Sequence, residues 1–212
     1  DAREARDCVE CPPFYLLDPD LLRETILQMY GPDASGQVLP ERVTAFTFAE
    51  LHDYLTDGRP DLGPAIQNAD WIVFAMLDYS PDEDISSTAL KQFLREGTVA
   101  PEAQKVIVMA YEAPYYLDTT EVSKLTAYYA IYAKTGSFVE TSVRALFQEF
   151  GPVGRAPITV EGVGYHLTRQ LAPDPDQVIA VLAADQPPTE EGTPQPVSLE
   201  VGDTLNVQTT VI

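Results

Sequence analysis

The sequence predicts an α/β fold built on a mostly parallel sheet, and three stretches of the chain carry this prediction. Asp70–Leu77 and Lys105–Tyr111 are short apolar runs rich in β-branched and aromatic residues, which is typical of strands buried on both faces. Strands that alternate with helices at this spacing indicate right-handed crossovers between two helical layers. A helix is expected between these two strands, at Ile85–Glu96. Its apolar face carries Ile85, Ala89, Leu90, Phe93 and Leu94.

The flanking elements follow from capping signals and apolar periodicity. Asp18-Pro19-Asp20 should begin a helix that runs to Tyr30. Arg42–Phe46 is predicted as a short strand, and Thr47 should cap a helix from Phe48 to Leu55. We also predict an amphipathic turn or two at Asp61–Ala69, a strand at Thr126–Tyr132, and a long helix at Ser137–Phe150 whose apolar side includes Val139, Val143, Leu146, Phe147 and Phe150. The expected architecture is a three-layer α/β/α sandwich with a flavodoxin-like arrangement.

The C-terminal part of the sequence has a different character. Gln177–Ala183 is predicted as a final strand or edge run, which closes an α/β domain at residues 1–184. Residues 185–196 are rich in Pro, Thr and Glu, as exposed linkers are. In residues 197–212, apolar residues alternate on both sides of Gly202-Asp203, which predicts a short β-hairpin. The hairpin could equally open a following β-sandwich.

The charge balance narrows the classes of partner. The chain has 33 acidic and 13 basic side chains and a formal net charge of −20. Such a surface should repel phosphate backbones and anionic membranes, so we expect no nucleic-acid partner. No run approaches the roughly 18 apolar residues of a membrane-spanning helix, and no membrane partner is expected.

Cys8 and Cys11 form a Cys-x-x-Cys pair, followed by Pro12-Pro13. A redox dithiol normally opens a helix, whereas two prolines remove amide donors and favour extended chain. A zinc site would need two more ligands, and His52 and His166 are far apart in sequence, so no metal is expected. Two interpretations of Cys8 and Cys11 remain, a local disulfide or a pair of packed thiols. A disulfide would indicate an extracellular or cell-envelope location, whereas packed thiols would be compatible with the cytoplasm.

Ligands of open α/β sheets bind at the carboxyl ends of the strands, where the sequence offers two polar loops. Asp78 and Tyr79 open an acidic loop, which could equally be a solvated cap of the next helix. Glu112 follows the second strand, and Tyr115 and Tyr116 offer rings and hydroxyls of the kind that stack on sugars. The alternative is that both tyrosines pack over the end of the sheet.

Residues 144–160 carry a family resemblance. They combine a helix ending at Gly151, a Pro/Gly turn through Gly154 and a short strand entered through Pro157. This order resembles the end of the C-terminal α/β domain of glycoside hydrolase family 3, where Gln148 replaces a usual Gly and Ala156 a usual Leu. The stretch Lys105–Tyr116 is most similar to the β-N-acetylhexosaminidase branch. The resemblance covers about residues 1–181.

The resemblance implies a non-catalytic domain that lies beside an N-terminal (β/α) barrel of the same polypeptide and shapes the rim of its active site. The barrel carries the aspartate nucleophile in this family. The Lys-His-Phe-Pro-Gly-His type motif of the acid/base is not present in this sequence, and no Glu here maps onto the acid/base of the β-glucosidase branch. We therefore assign no catalytic residue and expect no cofactor, while a glycan ligand is implied.

The same resemblance makes Asp1–Asp7 similar to the loop that follows the first strand of such a domain. Arg3, Arg6 and Asp7 would then lie at the same sheet end as Tyr79 and Tyr115, where they could meet the barrel or a sugar hydroxyl. An ion pair with Asp78 or Asp118 in solvent is the alternative.

Two other functions stay open. The first is a stand-alone module that binds carbohydrate or protein. The second is a flavodoxin-like or redox domain that uses Cys8 and Cys11, although no Ser/Thr/Gly-rich phosphate loop follows an identifiable first strand.

Overall fold

The computed structural model describes residues 1–58, 62–96, 104–172, 179–183, 200–204 and 206–211. The chain divides into two compact units, Asp1–Leu167 and Thr168–Ile212. In chain order the described elements are β1 (Glu4–Ala5), β2 (Phe14–Tyr15), α1 (Leu21–Tyr30), α2 (Phe48–Asp57), α3 (Gly63–Asn68), β3 (Trp71–Met76), α4 (Ala89–Glu96), β4 (Lys105–Ala110), α5 (Thr119–Val122), β5 (Ala127–Ala130), α6 (Gly136–Leu146), α7 (Leu167–Gln170), β6 (Ile179–Ala183) and β7 (Val207–Val211).

A three-stranded parallel sheet organises the first unit. Its order is β3-β4-β5, with Trp71 opposite Lys105 and Ile107 opposite Ala127. Both crossovers contain a helix, α4 and then α5. The predicted α/β class with a parallel sheet is confirmed.

Helices cover both faces of this sheet and give it two cores. Phe74 and Val108 pack in the first core, to which α2, α3 and α4 contribute their apolar sides. Ile107 and Met109 pack in the second core with α1 and α6. Because consecutive strand residues point to opposite cores, the strand sequences are apolar almost throughout.

Capping residues in the sequence correctly predicted two of the helices, α1 and α2. The Thr47 side chain accepts a hydrogen bond from the Glu50 amide, and the Glu50 side chain accepts one from the Thr47 amide, a capping box that starts α2. Gly58 ends the helix in the left-handed conformation, with φ of 69°. Helix α1 begins after Asp20 and ends before Gly31, as predicted.

Two predicted strands do not form. Arg42 ends a 3₁₀ turn at Pro40–Arg42, and residues 43–46 lie in no helix or strand. The Val43 carbonyl accepts a hydrogen bond from Arg23 Nε at 3.2 Å instead of joining a ladder. After Pro157 only an isolated bridge joins Val160 to Tyr165, because the turn at Glu161–Val163 reverses the chain at once. Both segments have strand-like composition, but none of the described strands pairs with them.

Two helix predictions need correction at their ends. Ile85 was expected on a buried face, but Ile85–Thr88 is a 3₁₀ turn and the Ile85 side chain is 58% exposed. The long helix α6 ends at Leu146 rather than at Phe150, since Gln148 has a φ of 59°. Phe150 is consequently exposed instead of belonging to the apolar side of the helix.

Replacing Gln148 with glycine is expected to raise the free energy of unfolding by up to about 1 kcal/mol. The left-handed backbone at this position is unfavourable for a residue with a Cβ, and the side chain is exposed, so little packing is lost. Chemical denaturation measures the change. Gln148→Ala keeps the Cβ and should leave stability within about 0.5 kcal/mol. Equal stabilities of the two variants would contradict this account.

The second unit contains one antiparallel strand pair. Strand β7 pairs with β6, with Ile179 opposite Val211 and Val181 opposite Thr209. The second arm of the predicted C-terminal hairpin therefore has β6 as its described partner, and the first arm at 197–199 lies outside the described residues, as does the linker predicted at 185–196. The boundary at residue 184 stays a prediction, and the first compact unit of the structure ends at Leu167.

Candidate functional site at the carboxyl edge of the sheet

An arginine and two carboxylates meet where β3 ends. The Arg3 guanidinium contacts both carboxylate oxygens of Asp1, each at 3.0 Å, and also the carboxylate of Asp78. The Asp1 carboxylate accepts a further hydrogen bond from the Leu77 amide at 3.0 Å. Ser80 Oγ donates to Asp78 at 3.1 Å. The structure thus brings together two of the candidate residues, Arg3 and Asp78, and gives both carboxylates a cationic partner.

Arg6 and Asp7 lie elsewhere on this part of the chain. Both are exposed in the loop between β1 and β2, which Cys8 and Cys11 close with a disulfide. Neither takes part in the contact between Arg3 and Asp78. Strand β2 follows the disulfide loop, whereas a redox dithiol normally lies at the start of a helix, which lowers the pKa of its thiol.

Lys91 connects the two candidate loops. Its Nζ lies 5.1 Å from the centre of the Tyr79 ring, donates to the Tyr116 carbonyl at 2.5 Å, and is 2.8 Å from the Glu121 carboxylate. Glu121 is also 3.2 Å from Arg95, and its side chain is only 3% exposed. Sequence reasoning missed both Lys91 and Glu121. The available signal was Asp118-x-x-Glu121, which is the pattern of a capping box and forms one here.

A surface cleft of about 570 Å³ lies next to Lys91. Its lining consists of Lys91, Tyr115, Tyr116, Leu117, Asp118, Thr119, Thr159, Glu161 and Gly162. The two tyrosines differ in accessibility, since Tyr115 is 67% exposed and Tyr116 only 8%. Tyr116 packs into the first core, with its ring 6.4 Å from that of Tyr128. The packing alternative therefore holds for Tyr116, while Tyr115 presents an open ring.

The environment of Tyr116 keeps its hydroxyl protonated. Burial raises the pKa of this hydroxyl far above its ordinary value, and Tyr128 and the carboxylates of Asp78 and Glu112 raise it further. Tyr132, just after β5, has a φ of 63°, a strained conformation for an aromatic residue. The Tyr116 phenol is therefore a neutral group that can donate or accept hydrogen bonds.

The remaining polar candidates have weaker surroundings. Glu112 lies 3.8 Å from Lys134, and both side chains are well exposed, so this ion pair contributes little. His52 lies in α2 beside Asp53, and the described residues contain no cluster of three or more His, Cys, Asp or Glu that could hold a metal ion. Across the same part of the chain, no helix has the length and apolar character needed to cross a membrane.

Comparisons with known proteins identify no family for this chain. The chain matches no family model, no curated protein and no solved structure. The fold is an α/β sandwich, and the polar groups at the carboxyl edge of its sheet form the candidate site.

Proposed function

We propose that this chain is the non-catalytic α/β domain of a glycoside hydrolase family 3-like protein of the β-N-acetylhexosaminidase or β-glucosidase class. In this proposal the carboxyl edge of the sheet forms part of a glycan-binding rim, which a (β/α) barrel of the same polypeptide completes. The observation that carries the proposal is the exposed ring of Tyr115 at the border of a polar cleft. Open aromatic rings beside hydroxyl and carboxylate groups are suited to sugar recognition.

Three carboxylates of this edge, those of Asp1, Asp78 and Glu121, are held in ion pairs, which supports a non-catalytic role. Retaining glycosidases need two carboxyl groups about 5 to 5.5 Å apart, one of them free to attack and the other to donate a proton. Here Asp1 and Asp78 share Arg3, and Glu121 lies between Lys91 and Arg95. Carboxylates held in structural ion pairs are poorly placed for either task.

The conformation of Gln148 also supports the proposal. Residue 148 takes a left-handed backbone conformation, with φ of 59°. A usual Gly at this point of the family pattern would be the residue best suited to that conformation. The disulfide of Cys8 and Cys11 favours an oxidising compartment, such as the cell envelope or the extracellular space.

The isolated chain should bind N-acetylglucosamine oligomers without cleaving them, and Tyr115→Ala should weaken this binding about tenfold through loss of ring stacking. Calorimetric titration measures the affinity. Tyr115→Phe should retain most of it, because the ring remains. Trp71→Ala is the matched control, since Trp71 is an exposed aromatic at the opposite, amino end of β3.

Two results would count against the proposal. Hydrolysis of a p-nitrophenyl N-acetylglucosaminide by the isolated chain at an enzymatic rate would show that the chain is catalytic. Equal loss of affinity in Tyr115→Ala and Trp71→Ala would show that the cleft beside Tyr115 is not the glycan-binding site.

A stand-alone binding module is the second candidate, and the exposure of the Tyr115 ring in this chain favours it. Micromolar affinity of the isolated chain would support the module, because a rim that depends on a barrel should bind only weakly alone.

A further inference from the structure

The cleft next to Lys91 has an unbalanced charge. Lys91 is the only cation among the described residues that line it, and the lining also includes the carboxylates of Asp118 and Glu161. The Lys91 ammonium is already neutralised, since its Nζ lies 2.8 Å from the Glu121 carboxylate. The groups of the cleft that remain available to a ligand are therefore negative or neutral.

The two carboxylates of the lining differ in their partners. Asp118 accepts a hydrogen bond from the Glu121 amide at 2.8 Å, as the cap of α5. Glu161 begins the turn at Glu161–Val163 and is exposed, and its carboxylate has no hydrogen-bond or ion-pair partner among the described residues. Glu161 is thus the carboxylate of the cleft that is available to pair with a ligand.

Tyr116 gives the lining a buried hydroxyl without a partner. This residue is only 8% exposed, and its hydroxyl forms no hydrogen bond with a described residue, the neighbouring Tyr128 included. A buried hydroxyl is costly unless a water or a ligand satisfies it. Burial above all, then Tyr128 and the carboxylates of Asp78 and Glu112, raises the pKa of this phenol. Because negative charge lies near the phenol, a ligand group that satisfies it should be neutral or positive.

The exposed ring of Tyr115 favours the same sign of charge in a ligand, because the faces of aromatic rings attract cations. This edge of the sheet already contains one such contact, since the Lys91 Nζ lies 5.1 Å from the centre of the Tyr79 ring. The chain as a whole has a formal net charge of −20, which concentrates cations around it. The ring, the free carboxylate and the overall charge therefore all favour a cationic ligand.

The hydroxyl groups of the lining favour a sugar over a basic peptide. Thr119 and Thr159 belong to the lining, and their hydroxyls can donate and accept hydrogen bonds. The Tyr115 ring is open for stacking on a flat apolar face. A ligand that combines a ring, several hydroxyls and an ammonium matches all these groups. Amino sugars whose nitrogen is not acetylated have this combination.

We infer that the cleft binds a glycan with free, protonated amino groups, of the glucosamine type, in preference to the N-acetylated form. The Tyr115 ring stacks on a sugar of this ligand, and the Glu161 carboxylate pairs with an ammonium. This inference rests on the proposed function, because it names the class of glycan for the same cleft.

The experiment is a calorimetric titration of the full 212-residue chain with two matched ligands, a glucosamine tetramer and an N-acetylglucosamine tetramer. Mildly acidic buffer keeps the amines of the first ligand protonated and the carboxylates of the protein ionised. The titrations are repeated on Glu161→Gln, which removes the charge and keeps the size of the side chain. Glu140→Gln is the matched control, since it removes the same charge at an exposed position of α6 that does not line the cleft.

The glucosamine tetramer should bind about threefold more tightly than the N-acetylated tetramer at an ionic strength of about 10 mM, the effect expected of one exposed ion pair. Salt at about 1 M should abolish this preference. Glu161→Gln should also abolish it, by weakening the binding of the glucosamine tetramer alone, whereas Glu140→Gln should retain it.

Three results would overturn the inference. Equal affinity of the unaltered chain for both tetramers, with binding that still depends on Tyr115, would overturn it and leave the proposed function standing. A preference that Glu161→Gln and Glu140→Gln reduce equally would show that the charge of the whole chain, and not the cleft, selects the ligand. Tetralysine that binds as tightly as the glucosamine tetramer would show that the site recognises charge without a sugar. Absence of binding to either tetramer would overturn the proposed function as well.

Discussion

Replacing Glu121 with alanine is expected to lower the free energy of unfolding by about 3–5 kcal/mol, the range for breaking a buried ion pair by removing one partner. Glu121 is 2.8 Å from Lys91 and 3.2 Å from Arg95, and its carboxylate also accepts a hydrogen bond from the Asp118 amide at 3.0 Å. The Lys91 side chain is itself largely buried. The variant would leave this ammonium without its carboxylate and would open the cap of α5.

Urea denaturation of four variants, Glu121→Ala, Lys91→Met, their double variant and Glu140→Ala, tests this expectation. Glu140→Ala, at an exposed position of α6, is the control and should change stability by less than about 0.5 kcal/mol. The double variant Glu121→Ala with Lys91→Met should lose less than the sum of the two single variants, because no buried charge is left unpaired. A loss below about 1 kcal/mol in Glu121→Ala would mean that the ion pair is not important for stability.

Replacing Gly162 with alanine is expected to cost about 1–3 kcal/mol and to deform the cleft, as overpacking does elsewhere in proteins. A Cβ at this position would lie 2.2 Å from the Leu117 carbonyl oxygen and 3.2 Å from its carbon. Both atoms are backbone, so the strain cannot be relieved by turning a side chain. The loop that carries Tyr115 and Tyr116 would have to move away from Gly162.

Gly154→Ala is the matched control for this variant. A Cβ on Gly154 would meet no atom within 4 Å, and the residue is exposed, so its stability should be unchanged or slightly higher. Thermal unfolding and titration with N-acetylglucosamine oligomers are measured on both. Equal melting temperatures of Gly162→Ala and Gly154→Ala would show that the loop at Leu117 can move away from the added Cβ without loss of stability. If Gly154→Ala also weakened glycan binding, the affinity would not depend on the shape of the cleft.

The elements that could be predicted from sequence are those whose cause is local. Thr47 and Glu50 form both hydrogen bonds of a capping box within four residues of chain. The strands β3 and β4 were recognisable because burial on both faces leaves almost no polar residue in them. Gly31 ends α1 through its own neighbours, since a Cβ there would lie 2.2 Å from the Leu27 carbonyl oxygen.

The elements that failed are those whose existence depends on a distant partner. Arg42–Phe46 has a composition suited to a strand, but a strand needs a neighbour, and Val43 bonds to Arg23 instead. The end of α6 depends on one residue, Gln148, that takes a conformation usually left to glycine. Nothing in its side chain predicts that choice.

The candidate site divides in the same way. The sequence placed Asp78, Tyr79, Glu112, Tyr115 and Tyr116 after strands, and parallel strands bring such loops to one edge. It could not tell Tyr115 from Tyr116, since their difference in exposure arises from packing against Tyr128. Lys91 and Glu121 were missed because a lysine and a glutamate 30 residues apart look like ordinary surface residues until the fold buries them together.

By itself, the sequence determined the α/β class, the parallel sheet and the loops that follow its strands, because burial on two faces and helix caps leave marks within short stretches of chain. The tertiary structure decided which side chains of those loops are open and which carboxylates are neutralised. It also decided that the amino group of Asp1 donates a hydrogen bond to the Ala75 carbonyl. These features depend on contacts between residues far apart in sequence, such as Asp1 with Ala75 and Lys91 with Glu121, whose energies no local pattern encodes.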